Sequence, residues 1–183
     1  MNIFGFTGMP WSGKSEAVKI AKKKGLAVYR MGDFVWKEVE RRGLSVNAEN
    51  VGKVAQEMRK KYGKTIWADK TVNQILLNNK ESVIIIDGIR SIEEVQFFRS
   101  KLSSSFKLVA ITTPDEQRHK RAKQRKRADD SVSDKEIQER DDRERGWGLE
   151  QVIQEADILI DNDSSLASFH EKIYTLFSDE HIL

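Results

Sequence analysis

The sequence has no cysteine, which excludes disulfides and thiolate metal sites and accords with a reducing cytoplasm. It has two prolines, no internal repeat and no low-complexity stretch, so no disordered linker is expected. No apolar run approaches the roughly 18 residues of a membrane span. The start, "MNIFGFTGMPW", lacks the basic residues, long apolar stretch and small-residue cleavage site of a secretory signal. These absences predict a cytoplasmic protein with no membrane partner. Charge of one sign is also scarce overall, with 32 Lys and Arg against 29 Asp and Glu for a formal charge of +3. The three histidines, His119, His170 and His181, share no helical or strand spacing and have no cysteine partners, so no metal or catalytic role is assigned to them.

What the chain does have is an alternation of short apolar runs and helix-compatible segments. A length of 183 residues supports one core rather than two, so one domain with inserts is expected. "NIFGFTG" reads as a strand, and "KSEAVKIAKKKG" as a helix with Ala17, Ile20 and Ala21 on one face and a stop at Gly25. "LAVYRMG" reads as a second strand and "DFVWKEVERRG" as a helix. Two further helices fill residues 48–79. "SVIIIDG" is a β-branched run of the kind that forms a parallel strand buried on both faces. Capping-box patterns at Ser91/Glu94, Thr113/Glu116 and Ser133/Glu136 open three helices, with Pro114 at a first helical position. "FKLVAITT" and "ADILIDN" give the last strands, and "SLASFHEKIYTLF" a closing amphipathic helix. The pattern predicts an α/β fold, a five-stranded parallel sheet with helices on both faces. Trp67, Phe97, Phe98, Phe169 and Phe177 lie among apolar residues at helical spacing and read as core.

Between the first strand and the first helix stands "GMPWSGKS", which satisfies G-x-x-x-x-G-K-[ST] in full. In that context Gly8 and Gly13 let the backbone turn, so that N–H groups from Gly8, Met9, Pro10's neighbours, Trp11, Ser12 and Gly13 surround the phosphates of ATP. Lys14 adds a mobile charge and Ser15 a hydroxyl for Mg²⁺. Trp11 occupies the loop's fourth position, where backbone amides do the binding, so its indole must cover something else. The expectation is the acceptor pocket or a closed lid, near Trp36. A carboxylate for the metal is supplied by Asp87, at the end of the most buried strand, where open α/β sheets place ligands; an aspartate that merely ends a strand beside Gly88 has the same pattern. Arg90, three residues on, points toward the same crevice or sits solvated at a helix start.

"RHKRAKQRKR", residues 118–127, carries seven Lys or Arg in ten positions. On one helical face Arg121 and Arg125 are four apart, followed by Arg127, with Arg140 and Arg143 on the next helix. Such a run can neutralise a triphosphate, can be a solvated face, or can meet RNA phosphates. Interleaved aromatics for base stacking are missing, so a nucleic-acid partner is not expected.

These motifs carry a resemblance. "DGIR", residues 87–90, resembles the DG-x-x-R of adenylate kinases shortened by one residue, and "ADILIDNDSSLASF" resembles the terminal strand and adenine-side loop of dephospho-CoA kinases. With "TGMPWSGKSE" and "MGD", the chain is similar from residue 3 to about 175 to an archaeal family of kinase-like P-loop proteins related to both. The resemblance implies ATP and Mg²⁺ as cofactors, Asn162 on the ATP side, an acceptor-binding segment at about 33–80 and a helical lid at about 114–146. It also places Asp33 where a hydroxyl acceptor would find its base; the same residue suits a helix N-cap. Trp36 replaces the acceptor arginine of adenylate kinases, and Lys37 stands where dephospho-CoA kinases have arginine, without the guanidinium fork. The implied activity is a small-molecule kinase moving the γ-phosphoryl of Mg–ATP to a nucleotide-like acceptor, dephospho-CoA or a nucleoside monophosphate, with catalytic roles for Lys14, Asp33, Arg90, Arg121 and Arg125. The alternative is an ATP-binding assembly or regulatory factor acting on a protein or RNA. No "N-K-x-D" motif for guanine is present.

Overall fold

The computed structural model describes residues 2–77, 82–102, 106–124 and 133–178. Five strands, β1 (Asn2–Thr7), β2 (Ala27–Arg30), β3 (Val83–Asp87), β4 (Phe106–Thr112) and β5 (Ile158–Asp161), form one parallel sheet in the order β2-β3-β1-β4-β5. The central strands alternate their side chains between two cores. Ile3, Ile84, Ile86 and Leu108 enter one, and Phe4, Phe6, Ile85 and Val109 the other. This is the strand period of two expressed on a sheet covered on both faces, and it accounts for the unbroken β-branched run of β3. The first core is closed by helices α2 (Met31–Arg41), α3 (Ala48–Tyr62), α4 (Ile66–Leu77), α5 (Ile92–Leu102) and α8 (Leu149–Gln154). The second is closed by α1 (Lys14–Lys23) and α9 (Leu166–Leu176). The remaining helices, α6 (Asp115–Gln124) and α7 (Asp134–Gly146), meet Trp11 through Ala122 and Ile137 in a small apolar cluster of their own.

The predicted α/β sheet is therefore present with all five strands, and Trp67, Phe98, Phe169 and Phe177 are buried in it. Three local expectations change. β2 ends at Arg30 and α2 starts at Met31, so Asp33 lies inside the first helical turn and is not an N-cap. Thr113 does not cap α6; its hydroxyl lies 2.9 Å from the Ser12 carbonyl and 3.0 Å from that of Asn162, which ties β4's end to the glycine loop. At Ser91 only half of the box forms: the hydroxyl accepts from the Glu94 N–H at 3.3 Å, while the Glu94 carboxylate turns to Arg59 and to the Arg90 backbone. The box at Ser133/Glu136 is complete. Helix α8 has no counterpart in the sequence reading; its six residues are too few to display a helical period. Among the described residues no helix is long and apolar enough to cross a membrane.

Candidate active site

The loop after β1 sits at the carboxyl edge of the sheet, at the strand where the order reverses, which is where open α/β folds form their crevice. Its glycines are required by contact as well as by conformation. Gly8 has φ +140°, and a Cβ there would lie 2.3 Å from the Ile111 carbonyl oxygen; Gly13 has φ +117°, and a Cβ would lie 2.2 Å from the Asn162 amide nitrogen. Three long-range hydrogen bonds hold the loop's carbonyls. Asn162 donates from Nδ2 to Ser12 O at 2.8 Å, Thr113 reaches the same oxygen, and Arg118 donates to Pro10 O at 3.0 Å. These bonds fix the path of the loop between β1 and α1, and within it the Ser12 N–H donates to Met9 O at 3.2 Å. Asn162 thus acts on the loop from behind.

Lys14 opens α1 and folds back over the loop, donating to Gly8 O at 2.5 Å and Met9 O at 2.9 Å. Burial pulls its pKa down to about 8, against the opposing pull of Asp87 and Glu144. Asp87, in register with Phe6 of β1, closes β3 beside the loop. Its Oδ2 lies 3.5 Å from Nε of Arg30, while its Oδ1 is buried and has no hydrogen-bond partner. A buried carboxylate oxygen left unmatched is costly unless a cation or donor meets it, so Asp87 fits a Mg²⁺ site shared with the Ser15 hydroxyl. Among the described residues there is no cluster of three or more acidic or histidine ligands. Mg²⁺ at phosphate sites needs none, since phosphate oxygens and waters supply most of its six ligands.

Beyond Asp87 the chain turns through Gly88 to Arg90, whose Nε donates to Glu144 of α7 at 2.6 Å. Burial pushes the Glu144 carboxyl up, but Arg90, Arg140, Lys14 and Arg143 outweigh it and hold it below its ordinary value, ionised. Burial likewise works against the charge on Arg90, and the surrounding Glu144, Glu94 and Asp87 more than restore it. Arg121 leans on the loop's support, donating to Asn162 O at 3.0 Å and to the Thr113 hydroxyl at 3.3 Å. Arg140 places its guanidinium 5.0 Å from the centre of the Trp11 ring. Trp11 itself is buried against α6 and α7, with φ +61°, the one non-glycine positive φ among the described residues.

These groups line one cleft of about 600 Å³, into which Lys14, Ser15, Asp87, Arg90, Trp11 and Trp36 all project, together with Arg121, Arg140 and Arg143. The acceptor residues expected from sequence are divided. Trp36 lines the cleft, whereas Asp33 and Lys37 line a separate hollow of about 120 Å³, and Asp33 is ion-paired to Arg30 at 3.2 Å. Arg125 and Arg127 lie outside the described residues.

The sequence reading passed over Arg30, Glu144 and Trp147, all of which line the cleft. Arg30 had a signal: it ends β2 as Asp87 ends β3, and the two strands pair in that register. Glu144 and Trp147 had none, because both meet Arg90, which lies 54 residues from Glu144 in the chain. Eight cationic side chains and three carboxylates line the cleft, an excess suited to polyphosphate.

A model of an AAA domain matches residues 7–138. The UPF0200/UPF0201 protein of Archaeoglobus fulgidus is 43% identical over 174 residues, covering 94% of this chain and 54% of its own, so this chain spans about half the length of that relative. The UPF0200 protein of Methanosarcina barkeri is 40% identical over 179 residues, covering 98% of this chain and 96% of its own. Among solved structures, the shikimate kinase of Bacteroides thetaiotaomicron aligns with a TM-score of 0.61 at 14% identity, covering 96% of both chains. A gluconokinase of Sinorhizobium meliloti aligns at 0.58 and 12% identity, covering 95% of this chain and 90% of its own. At such identities the likeness is one of fold, that of P-loop kinases.

Proposed function

The chain belongs to the UPF0200 family and to the AAA-type P-loop domains, and from that premise we propose that it is a Mg–ATP-dependent phosphotransferase acting on a small, nucleotide-like acceptor. The observation that carries this reading is the unmatched, buried Oδ1 of Asp87 beside the glycine loop, in a cleft lined by Lys14 and an excess of arginines. The fold neighbours, a shikimate kinase and a gluconokinase, support it.

On this reading the loop amides and Lys14 bind the β- and γ-phosphates, with Lys14 leaving the carbonyls of Gly8 and Met9 to do so. Ser15 and Asp87 would hold Mg²⁺, which would supply charge neutralisation for the phosphates. Residues 114–146 act as the lid and 33–80 as the acceptor side. Arg121 and Arg140 enter from the lid and offset charge spreading over the transferred group, an effect worth several kcal/mol, on the order of 10³ in rate. Arg90 faces the acceptor, with Glu144 fixing the plane of its guanidinium.

The position of Asp33 bears on the acceptor. Its carboxylate is paired with Arg30 and lines the neighbouring hollow rather than the cleft. An acceptor with an ionised phosphate oxygen needs no base, so a nucleoside monophosphate suits this arrangement without rearrangement. A hydroxyl acceptor such as dephospho-CoA requires Asp33 to turn away from Arg30.

The test is a panel of nucleoside monophosphates, dephospho-CoA, shikimate, gluconate and no acceptor, each with Mg–ATP, beside Lys14→Ala. Product from one acceptor with wild type and none with K14A supports the proposal. Hydrolysis independent of acceptor, or turnover only with RNA or a protein, would sink it and favour an ATP-driven assembly factor.

A further inference from the structure

Trp147 stands where α7 ends, and its indole is the meeting point of three guanidiniums. Arg59 of α3 stacks 4.4 Å from the ring centre, and Arg90 and Arg143 each lie 5.9 Å from it. Three like charges around one ring repel unless each is separately compensated. Arg59 is buried and donates from Nη2 to the fully buried Glu94 at 2.9 Å. Its Nε and Nη1 have no hydrogen-bond partner, so the π face of Trp147 is what offsets their burial. The second oxygen of Glu94 accepts the backbone N–H of Arg90 at 2.8 Å, which fixes the turn that carries that residue.

Arg143 is held differently. Its Nε is buried without a hydrogen-bond partner. Its guanidinium lies so close to α3 that a Cβ at Gly52 would stand 2.8 Å from it. A glycine inside a helix costs about 1 kcal/mol relative to alanine, and here the missing Cβ leaves the space that the Arg143 guanidinium occupies. The lid helix α7 thereby reaches the acceptor side of the cleft through one arginine.

We infer that Trp147 is the positioning residue of the acceptor site: its indole, braced by Arg59 and Glu94, sets Arg90 and Arg143 in directions that let them grip a phosphomonoester on the acceptor together. The inference rests on the phosphotransferase reading for the purpose of that grip. It moves Arg143 from the triphosphate to the acceptor, and it gives Trp147 and Gly52 a role that neither has by contact with a reacting atom.

The experiment measures binding of 5′-AMP by calorimetry to protein saturated with Mg²⁺ and a non-hydrolysable ATP analogue, so that the ATP site is occupied. Trp147→Leu is expected to weaken AMP about tenfold while changing the affinity for the analogue by less than about twofold, and Trp147→Phe to recover most of the loss. Gly52→Ala leaves the indole in place and displaces only Arg143, so it too should weaken AMP selectively; if W147L folds poorly, G52A carries the test. The inference is overturned by wild type that binds no AMP, by equal losses for both ligands, by W147F no better than W147L, or by unchanged AMP affinity in G52A. Selective AMP binding without phosphoryl transfer to any acceptor defeats the kinase reading alone. Transfer to a neutral acceptor with no AMP binding defeats this inference alone.

Discussion

The guanidinium of Arg140 lies over the ring of Trp11 at 5.0 Å, so the second helix of the basic segment touches the phosphate loop through an indole. Trp11 is buried against Ala122 and Ile137 while its backbone holds φ +61°. Packing therefore outweighs a backbone penalty of about 1–2 kcal/mol for a side chain in the left-handed region.

That conflict yields an ordering of variants. Removing the indole costs about 3–5 kcal/mol through lost packing. Glycine, however, accepts the left-handed conformation freely, so Trp11→Gly should be more stable than Trp11→Ala by about 1 kcal/mol, the reverse of the order in a helix. Urea unfolding of both variants measures it. An alanine variant equal to or better than glycine would show that the positive φ is not retained.

How much of this could be read from the sequence divides along the range of the interactions. The glycine loop, the β3 run and the Ser133/Glu136 box were legible because each is specified by neighbours within a few residues. The start of α2 was misplaced because "YRMGD" carries no capping signal before Met31, and Arg30 caps the helix without a side-chain hydrogen bond. Arg90, Asp87 and Lys14 could be nominated singly. The contacts that support them could not: Glu144 to Arg90, Arg30 to Asp87 and Asn162 to the loop are all set by tertiary packing. Glu94 shows the limit well. Its spacing from Ser91 signals a cap, but Arg59 and the Arg90 amide lie closer to its carboxylate in the fold and take it instead.

The depressed Lys14 should make nucleotide binding pH-dependent. Burial lowers its pKa from 10.5 to about 8, so the free protein loses this charge as pH rises through about 8. Between about 8 and 10.5 the unfolded chain keeps a proton that the folded one has lost, so folding stability rises with pH across that window relative to Lys14→Met. A bound triphosphate favours the charged amine, so ATP binding near pH 8.5 (about half a unit above the free value) should take up protons. Calorimetry in buffers of different ionisation enthalpy reads the uptake directly. Equal enthalpies across buffers, or an uptake that persists in K14M, contradict the assignment.

A second buried charge network bears on stability. Arg118 is fully buried, pairs with Asp141 at 2.8 Å, and carries the Pro10 carbonyl of the loop. Burial works against its charge, and Asp141 and Asp115 raise its pKa in return. Arg118→Met leaves Asp141 buried without its guanidinium partner, with His119 still 2.9 Å away, and should cost about 3–5 kcal/mol. The double variant R118M/D141L removes both charges and should recover much of that loss. Denaturant unfolding of the two variants checks this; additive losses would show that the pair is not coupled.

The contact between Arg30 and Asp87 leads to the last expectation. Nε of Arg30 lies 3.5 Å from Oδ2 of Asp87, and Nη1 lies 3.2 Å from Asp33, so one guanidinium joins the carboxylate proposed for the metal to the segment proposed for the acceptor. A fixed positive charge beside Asp87 opposes a dication there. At an effective dielectric of about 20 the repulsion across several ångströms is worth a few kcal/mol before screening, of which roughly 1 kcal/mol should survive at this half-buried site. Arg30→Met should therefore tighten Mn²⁺ binding to the ATP-loaded protein by several fold, about the factor that 1 kcal/mol supplies. Arg30→Lys, which keeps the charge, should not. Electron paramagnetic resonance of free Mn²⁺ measures the affinity without any turnover. If R30M instead weakens Mn²⁺, Arg30 orients Asp87 toward the metal, and its closeness serves placement of the carboxylate instead of competition for it.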